Sequence, residues 1–422
     1  EIPLRLVGSE MCIRDSNDGA LCVISEKELE GQTNSYIKVK SSLQALKDMA
    51  LLYRNNLDIK VVGITGSVGK TSTKETISYV LNKKYKVLKT EGNFNNEIGL
   101  PLTVFRLRDD DEVAVLEMGI SDFGEMDRLS KIAQPDISVI TNIGLCHLEN
   151  LKTRDGILKA KTEIFNNMKP DGIAILNGDD DKLITVDEVN GKKPERFGIN
   201  YKDGVYAKDI ENLGLSGTKF VISGLNCVDG CKDFEVTVPV PGHHMIYNAL
   251  AAACVGAALE LTSAQIADGI ADLKTISGRN NIIKTSKYTL IDDCYNANPV
   301  SMKASVDVLD MAIGRKVCIL GNMYELGENE KNLHYDVGQY IGTKNIDVLI
   351  TIGDLARHIA MGTDDYMETH FGSYDCEIHS FDDMEEFNMA YSSILKDNDN
   401  ILIKASHAMK FADIVELLSK DN

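Results

Sequence analysis

The sequence predicts an α/β protein organised around two successive parallel sheets, the first of them carrying a phosphate loop. Three observations lead there. Short continuous apolar runs alternate with helical patterns from residue 60 to about 277 and again from 289 to 406, and apolar strands separated by helices imply parallel sheets buried on both faces. A glycine-rich turn lies directly between the first of these strands and a helix. The chain has 422 residues, 43% of them hydrophobic and 26% charged, which is the length of two or three domains with ordinary globular composition.

Taken in order, the first sixteen residues, EIPLRLVGSEMCIRDS, show no sustained period beyond a weak strand pattern at 2–7. They resemble translated sequencing-adapter text and are expected to be foreign or irregular. LCVIS (21–25) and YIKVK (36–40) read as strands, and 43–53 as a helix with apolar residues at 43, 46, 49, 50 and 53. Strands follow at KVVGI (60–64), KVLKT (86–90), VAVLEMG (113–119), ISVITNI (137–143) and IAILNG (173–178), with a helix at 72–82. Around 195–240 short polar strands with Gly turns suggest an antiparallel excursion, and 247–261 a helix of small apolar residues leading to Ser277, Gly278 and Arg279. The alternation then resumes with TLIDD (289–293), KVCILGN (316–322), IDVLITIG (346–353) and NILIKAS (400–406).

Lys and Arg number 45 against 64 Asp and Glu, a net charge of −19, which argues against a nucleic-acid backbone or an anionic membrane as the main partner, since either needs a basic face. No window approaches ~18 consecutive apolar residues and no leader pattern opens the chain, so no membrane insertion is expected. The nine cysteines are scattered without a Cys-x-x-Cys, which fits free thiols in a reducing cytoplasm.

The strongest chemical signal is Gly63-Ile-Thr65-Gly66-Ser67-Val68-Gly69-Lys70-Thr71. Glycines let the backbone approach phosphate oxygens, the following helix N-terminus offers N–H donors, Lys70 offsets phosphate charge and the Thr71 hydroxyl suits Mg²⁺. The spacing departs from the strict phosphate-loop pattern, which needs Gly where Ile64 stands; the strand-turn-helix context supplies what the pattern lacks. Glu117, at the end of VLE, reads as a metal carboxylate at the same sheet edge, and His147 in NIGLCHLEN as a neutral imidazole one strand further on. Lys161 fills a one-turn gap in a helical stripe of apolar residues at 157, 158, 164, 165 and 168. A lysine there must snorkel, pair or lose its proton, and a neutral amine could take up CO2 as a metal-ligating carbamate. Softer candidates are Asn93, Asn95 and Asn96, Asn248 on the polar side of an apolar helix, Arg279, and the loop DDCYNANP (292–299) with Asp293.

In order along the chain, TGSVGKTSTK, NFNNEIGLP, LEMG, NIGLCHLE, AKTEI, PGHH followed by Asn248, SGRN, DDCYNANPVSM and GNMYELGE resemble the motifs of the Mur ligases over roughly residues 20–420. The resemblance implies a partial UDP-substrate-binding domain at 17–58, a central ATP-binding, P-loop ATPase-like domain at 59–277 and a C-terminal Rossmann-like domain at 278–422. It implies that ATP is held by the phosphate loop, Asn248, Arg279 and Asp293, and that Mg²⁺ is held by Thr71, Glu117, His147 and a carbamylated Lys161, with Lys70 and Asn95 also catalytic. YNANPVSM and NNEIGLP are similar to the members that join D-alanyl-D-alanine to UDP-N-acetylmuramoyl-tripeptide. The enzyme so implied is a cytoplasmic, monomeric ligase of peptidoglycan precursor synthesis, working through an acyl phosphate, and hence one of cell shape and division.

Three departures accompany the resemblance. The N-terminal domain is represented only by its second half, Asn322 stands where the family has Asp, and Lys404-Ala-Ser-His407 stands for Lys-Gly-Ser-Arg. Alternatives are a Mur-type ligase adding another amino acid, a folylpolyglutamate-like ligase, or a P-loop phosphotransferase. A guanine switch would carry an Asn-Lys-x-Asp signature after a strand, and the chain has none.

Overall fold

The computed structural model describes residues 20–28, 35–275, 277–371 and 376–420; the expectations for residues 1–16 and for a strand at 2–7 fall outside them. Among the described residues the strands form three sheets. The smallest pairs β1 (Cys22–Ser25) with β2 (Ser35–Lys38) in parallel. The largest runs from β3 (Lys60–Thr65) through β4 (Val87–Lys89), β5 (Val113–Glu117), β6 (Ile137–Ile140), β7 (Ile173–Asn177), β8 (Glu195–Gly198), β9 (Val205–Asn212) and β10 (Thr218–Ser223) to β11 (Phe234–Val238), in the spatial order 11-10-9-8-7-6-3-5-4. The last contains β12 (Asn281–Lys284), β13 (Thr289–Asp292), β14 (Lys316–Gly321), β15 (Val348–Ile352), β16 (Glu377–Phe381) and β17 (Asn400–Lys404), in the order 12-13-17-14-15-16. This is the mixed α/β architecture with parallel-rich sheets that the alternation predicts.

The antiparallel excursion expected at 195–240 is half correct. β8 and β9 extend the parallel sheet, and only β10 is reversed, pairing antiparallel with β9 and β11. A tight Gly-containing return after β8 looks like a hairpin turn in sequence, but Asp179 gathers the N–H groups of Ile199, Asn200 and Tyr201 (2.6, 2.9 and 2.6 Å) and redirects the chain instead.

In the central sheet β3 pairs with β5 on one side and β6 on the other, both in parallel. The strand order therefore reverses at β3, and the crevice beyond the carboxyl ends of β3, β5 and β6 is where such sheets bind ligands. The helix His244–Ala258 covers this sheet with the buried small residues Ala249, Ala251, Ala252 and Ala253, which lets it lie close to the helix Lys70–Leu81 and to β7 and β8. The helix Ser42–Asn55, capped by the Ser41 hydroxyl, is fastened to the same sheet by Arg54. Its buried guanidinium donates to the carbonyls of Leu57, Ile59 and Ala133 at 3.1–3.3 Å.

Candidate active site

β3 ends at Thr65, and the chain turns through Gly66 into the helix Lys70–Leu81. A Cβ at Gly66 would stand 1.9 Å from the Thr141 hydroxyl, and Gly69 caps the helix with φ 82°, a conformation that costs glycine nothing. The loop is braced from β6: Ser67 N donates to Asn142 O (3.0 Å), Val68 N to Asn142 Oδ1 (2.9 Å), and Thr141 Oγ1 to Val68 O (2.7 Å). That leaves the first N–H groups of the helix to face the cleft, with the Lys70 ammonium folded onto Gly66 O at 2.9 Å. Ser67, Val68, Gly69, Lys70 and Thr71 line the cleft. Gly63 sits inside β3, where a Cβ would press on Met118 at 2.5 Å; its place is in the packing under the loop. Thr65 is buried beside it, its hydroxyl without a partner among the described residues.

Glu117, the last residue of β5, is 2% exposed. Its Oε2 accepts the Thr71 hydroxyl at 3.0 Å and its Oε1 the Asn95 amide at 2.8 Å. Both partners are neutral, and among the described residues no cation pairs with this carboxylate. Lys161, on the helix Arg154–Thr162, is 1% exposed, and no hydrogen bond or ion pair reaches its Nζ among the described residues. Burial first, then the nearby Lys70 charge, lowers its pKa to about 7. His147 caps the short helix Leu148–Leu151 at φ 50°. Burial, with Lys161 and Lys70 close by, pushes its pKa down, so the imidazole is held neutral. Its Nδ1 lies 3.9 Å from Glu325 of the C-terminal sheet unit. Among the described residues no three of His, Cys, Asp and Glu converge on one point; two of the four expected ligands are a threonine and a lysine.

The opposite wall comes from the helix His244–Ala258 and the C-terminal sheet. Asn248 does not face solvent as its helical position suggests. It is buried, accepting the Thr73 hydroxyl at 2.9 Å, because the helix Lys70–Leu81 packs over that side. Arg279 lays its guanidinium 4.1 Å from the centre of the Tyr295 ring, which also meets His407. Asp293, just past β13, receives the buried Lys404 ammonium at 2.6 Å, the Ser305 hydroxyl and the Asn280 N–H at 3.1 Å. Together these walls enclose a cleft of about 780 Å³.

Several cleft residues escaped sequence reasoning, among them Asn142, Asp179, Tyr247 and His244. Asn142 and Asp179 stand just past strand ends, the position that singled out Glu117, and that rule applied to every parallel strand would have found them. Asn322 uses both ends of its amide: Oδ1 accepts the N–H of Ala356 at 2.8 Å and Nδ2 donates to Asp354 at 2.9 Å. Asp in its place would set two carboxylates against each other, so the asparagine suits its neighbour.

The chain is 37% identical over 388 residues to the Bacillus subtilis protein named UDP-N-acetylmuramoyl-tripeptide–D-alanyl-D-alanine ligase, covering 91% of this chain and 81% of that one. The Mur ligase middle domain matches residues 64–256, and the Mur ligase glutamate ligase domain matches 278–407. The chain belongs to the Mur ligase family. Among solved Mur ligases, MurF from Acinetobacter baumannii superposes with a TM-score of 0.87 at 29% identity, over 98% of this chain and 88% of that one. MurF from Thermotoga maritima in complex with ADP gives 0.83 at 30% identity, over 96% and 90%. Two Mur ligase domains thus meet in this chain where the two sheets face the cleft.

Proposed function

We propose that this Mur ligase uses ATP to join D-alanyl-D-alanine to UDP-N-acetylmuramoyl-tripeptide in peptidoglycan precursor synthesis, releasing ADP and phosphate. The observation that carries the reading is the meeting, at the switch point of one sheet, of a phosphate loop and a buried carboxylate whose side-chain partners among the described residues are neutral, with a buried lysine near Lys70, in a chain whose relatives of that name match over most of its length. The tripeptide's terminal carboxylate attacks the γ-phosphorus of ATP, forming the acyl phosphate as the bond to ADP breaks. The dipeptide's amine then attacks the acyl carbon, and phosphate leaves with the C–O bond electrons as the amine gives up its proton.

The residues present suit Mg²⁺. A carboxylate buried with neutral partners is costly unless a cation joins it, and hard oxygen donors are what Mg²⁺ selects. Thr71 and Glu117 would hold it, joined by His147 and by Lys161 after carbamylation. In that modification the neutral amine forms an N–C bond to CO2 and releases one proton, turning a neutral group into a ligand anion. When bound, the metal offsets repulsion between the carboxylate and the phosphates. Lys70 adds to that offset and the helix N–H groups orient the phosphates. Asn248, beside the phosphate loop, and Arg279 and Asp293, across the cleft from it, would contact the nucleotide. We read residues 17–58, 59–277 and 278–422 as the UDP-substrate, ATP and ligase domains of a cytoplasmic monomer.

The test is ADP release from ATP in the presence of UDP-N-acetylmuramoyl-tripeptide, comparing D-alanyl-D-alanine with single amino acids. Release that requires the dipeptide is expected. Release that ignores it and answers to one amino acid would remove the substrate assignment and leave the family.

A further inference from the structure

The loop that carries Asn95 is fixed at both ends and in its middle. Asn95 O accepts the N–H of Gly119 at 2.8 Å, and a Cβ at Gly119 would come within 3.1 Å of the Asn95 side chain. Asn96 Oδ1 accepts the N–H groups of Ile98 and Gly99 at 3.1 and 2.8 Å, which starts the helix Gly99–Val104. Between Asn96 and that helix stands Glu97, which takes no part in the chemistry described above. Its carboxylate receives Lys47 Nζ at 2.8 Å from the helix Ser42–Asn55. It also receives Arg128 Nε at 2.6 Å and Nη2 at 3.2 Å from the helix Glu125–Ala133. Two-pronged contacts of this kind are the directional ones among ion pairs, and Lys47 is itself buried. Arg128 and Lys47 also hold the Glu97 carboxyl below its usual range.

We propose that Glu97 is a positioning residue for the metal carboxylate: clamped between two helices, it sets the 93–98 loop so that Asn95 holds Glu117 in one orientation. The inference rests on the reading of Glu117 as a Mg²⁺ ligand and goes beyond it. It makes the helix Ser42–Asn55, which belongs to the proposed UDP-substrate domain, part of what shapes the ATP site. Groups that orient a ligand from behind typically govern metal affinity by 10–100-fold.

The experiment measures ADP affinity by calorimetry as Mg²⁺ is titrated, with the full chain and no turnover. Glu97→Gln should raise the Mg²⁺ concentration for half of the affinity gain by about tenfold, with ADP affinity in EDTA unchanged. Asn95→Ala should raise the Mg²⁺ requirement likewise, and the double variant should be no worse than the larger single one, since both act through one contact. Lys47→Met, which leaves the Arg128 contacts, should shift the curve less in the same direction, and it carries the comparison should Glu97→Gln not fold. Glu97→Gln that lowers the melting temperature while leaving the Mg²⁺ curve in place, or effects that multiply in the double variant, would overturn the inference. A native chain whose ADP affinity ignores Mg²⁺ would instead refute the metal reading of Glu117, and this inference with it.

Discussion

Replacing Lys161 by Met should stabilise the protein, and by an amount that depends on pH. The ammonium is buried, and its pKa falls from the ordinary 10.5 to about 7; each unit is worth 1.36 kcal/mol. Below pH 7 both folded and unfolded chains carry the proton, so the folded state bears the whole penalty, (10.5 − 7) × 1.36, or about 5 kcal/mol. Between 7 and 10.5 the unfolded chain binds the proton that the folded chain has lost, so native stability rises with pH. At pH 9 the remaining penalty is (10.5 − 9) × 1.36, about 2 kcal/mol. The apolar replacement carries no such term. In CO2-depleted buffer with EDTA, urea unfolding followed by circular dichroism should place Lys161→Met ahead of the native chain, and the gap should narrow by about 3 kcal/mol from pH 6 to pH 9. A gap that is the same at both pH values would show that the amine keeps its charge, and carbamate formation at neutral pH would lose its physical basis.

Two further substitutions test the C-terminal wall. Lys404→Met leaves Asp293 buried without its cation and should cost about 3–5 kcal/mol by urea unfolding; a loss under about 1 kcal/mol would mean the pair is solvated and Asp293 is not held by it. Asn322→Asp should lower the melting temperature at pH 7, by the equivalent of about 1–3 kcal/mol, because it sets a carboxylate against Asp354. Adding Asp354→Asn should recover much of that loss, and a loss that the second change leaves in place would count against the account.

The parallel sheets, the phosphate loop and Glu117 were legible because each rests on a local rule: continuous apolar strands, glycine before a helix, a carboxylate at a strand end. Lys161 was legible because a cation on an apolar stripe is an anomaly in one dimension. Asn248 was read to the wrong environment, since its burial is decided by the helix Lys70–Leu81, 175 residues away along the chain from Thr73 to Asn248. The continuation of the parallel sheet into β8 and β9 was missed for a similar reason. It depends on Asp179 collecting three N–H groups beyond the next strand, and no periodicity within 195–240 carries that information. The lysine that Asp293 meets sits at the end of β17, more than a hundred residues on, and only the strand order brings the two together.

A cleft whose two walls grow from different sheets makes the nucleotide a fastener. A ligand that touches both the phosphate loop and the Arg279 and Asp293 side holds the two sheet units at a set separation, and its binding energy opposes their parting. At a hundredfold excess over its dissociation constant that energy is about 2.7 kcal/mol. Transfer of the γ-phosphate would then shorten the fastener, and with it change how firmly the halves of the enzyme are joined.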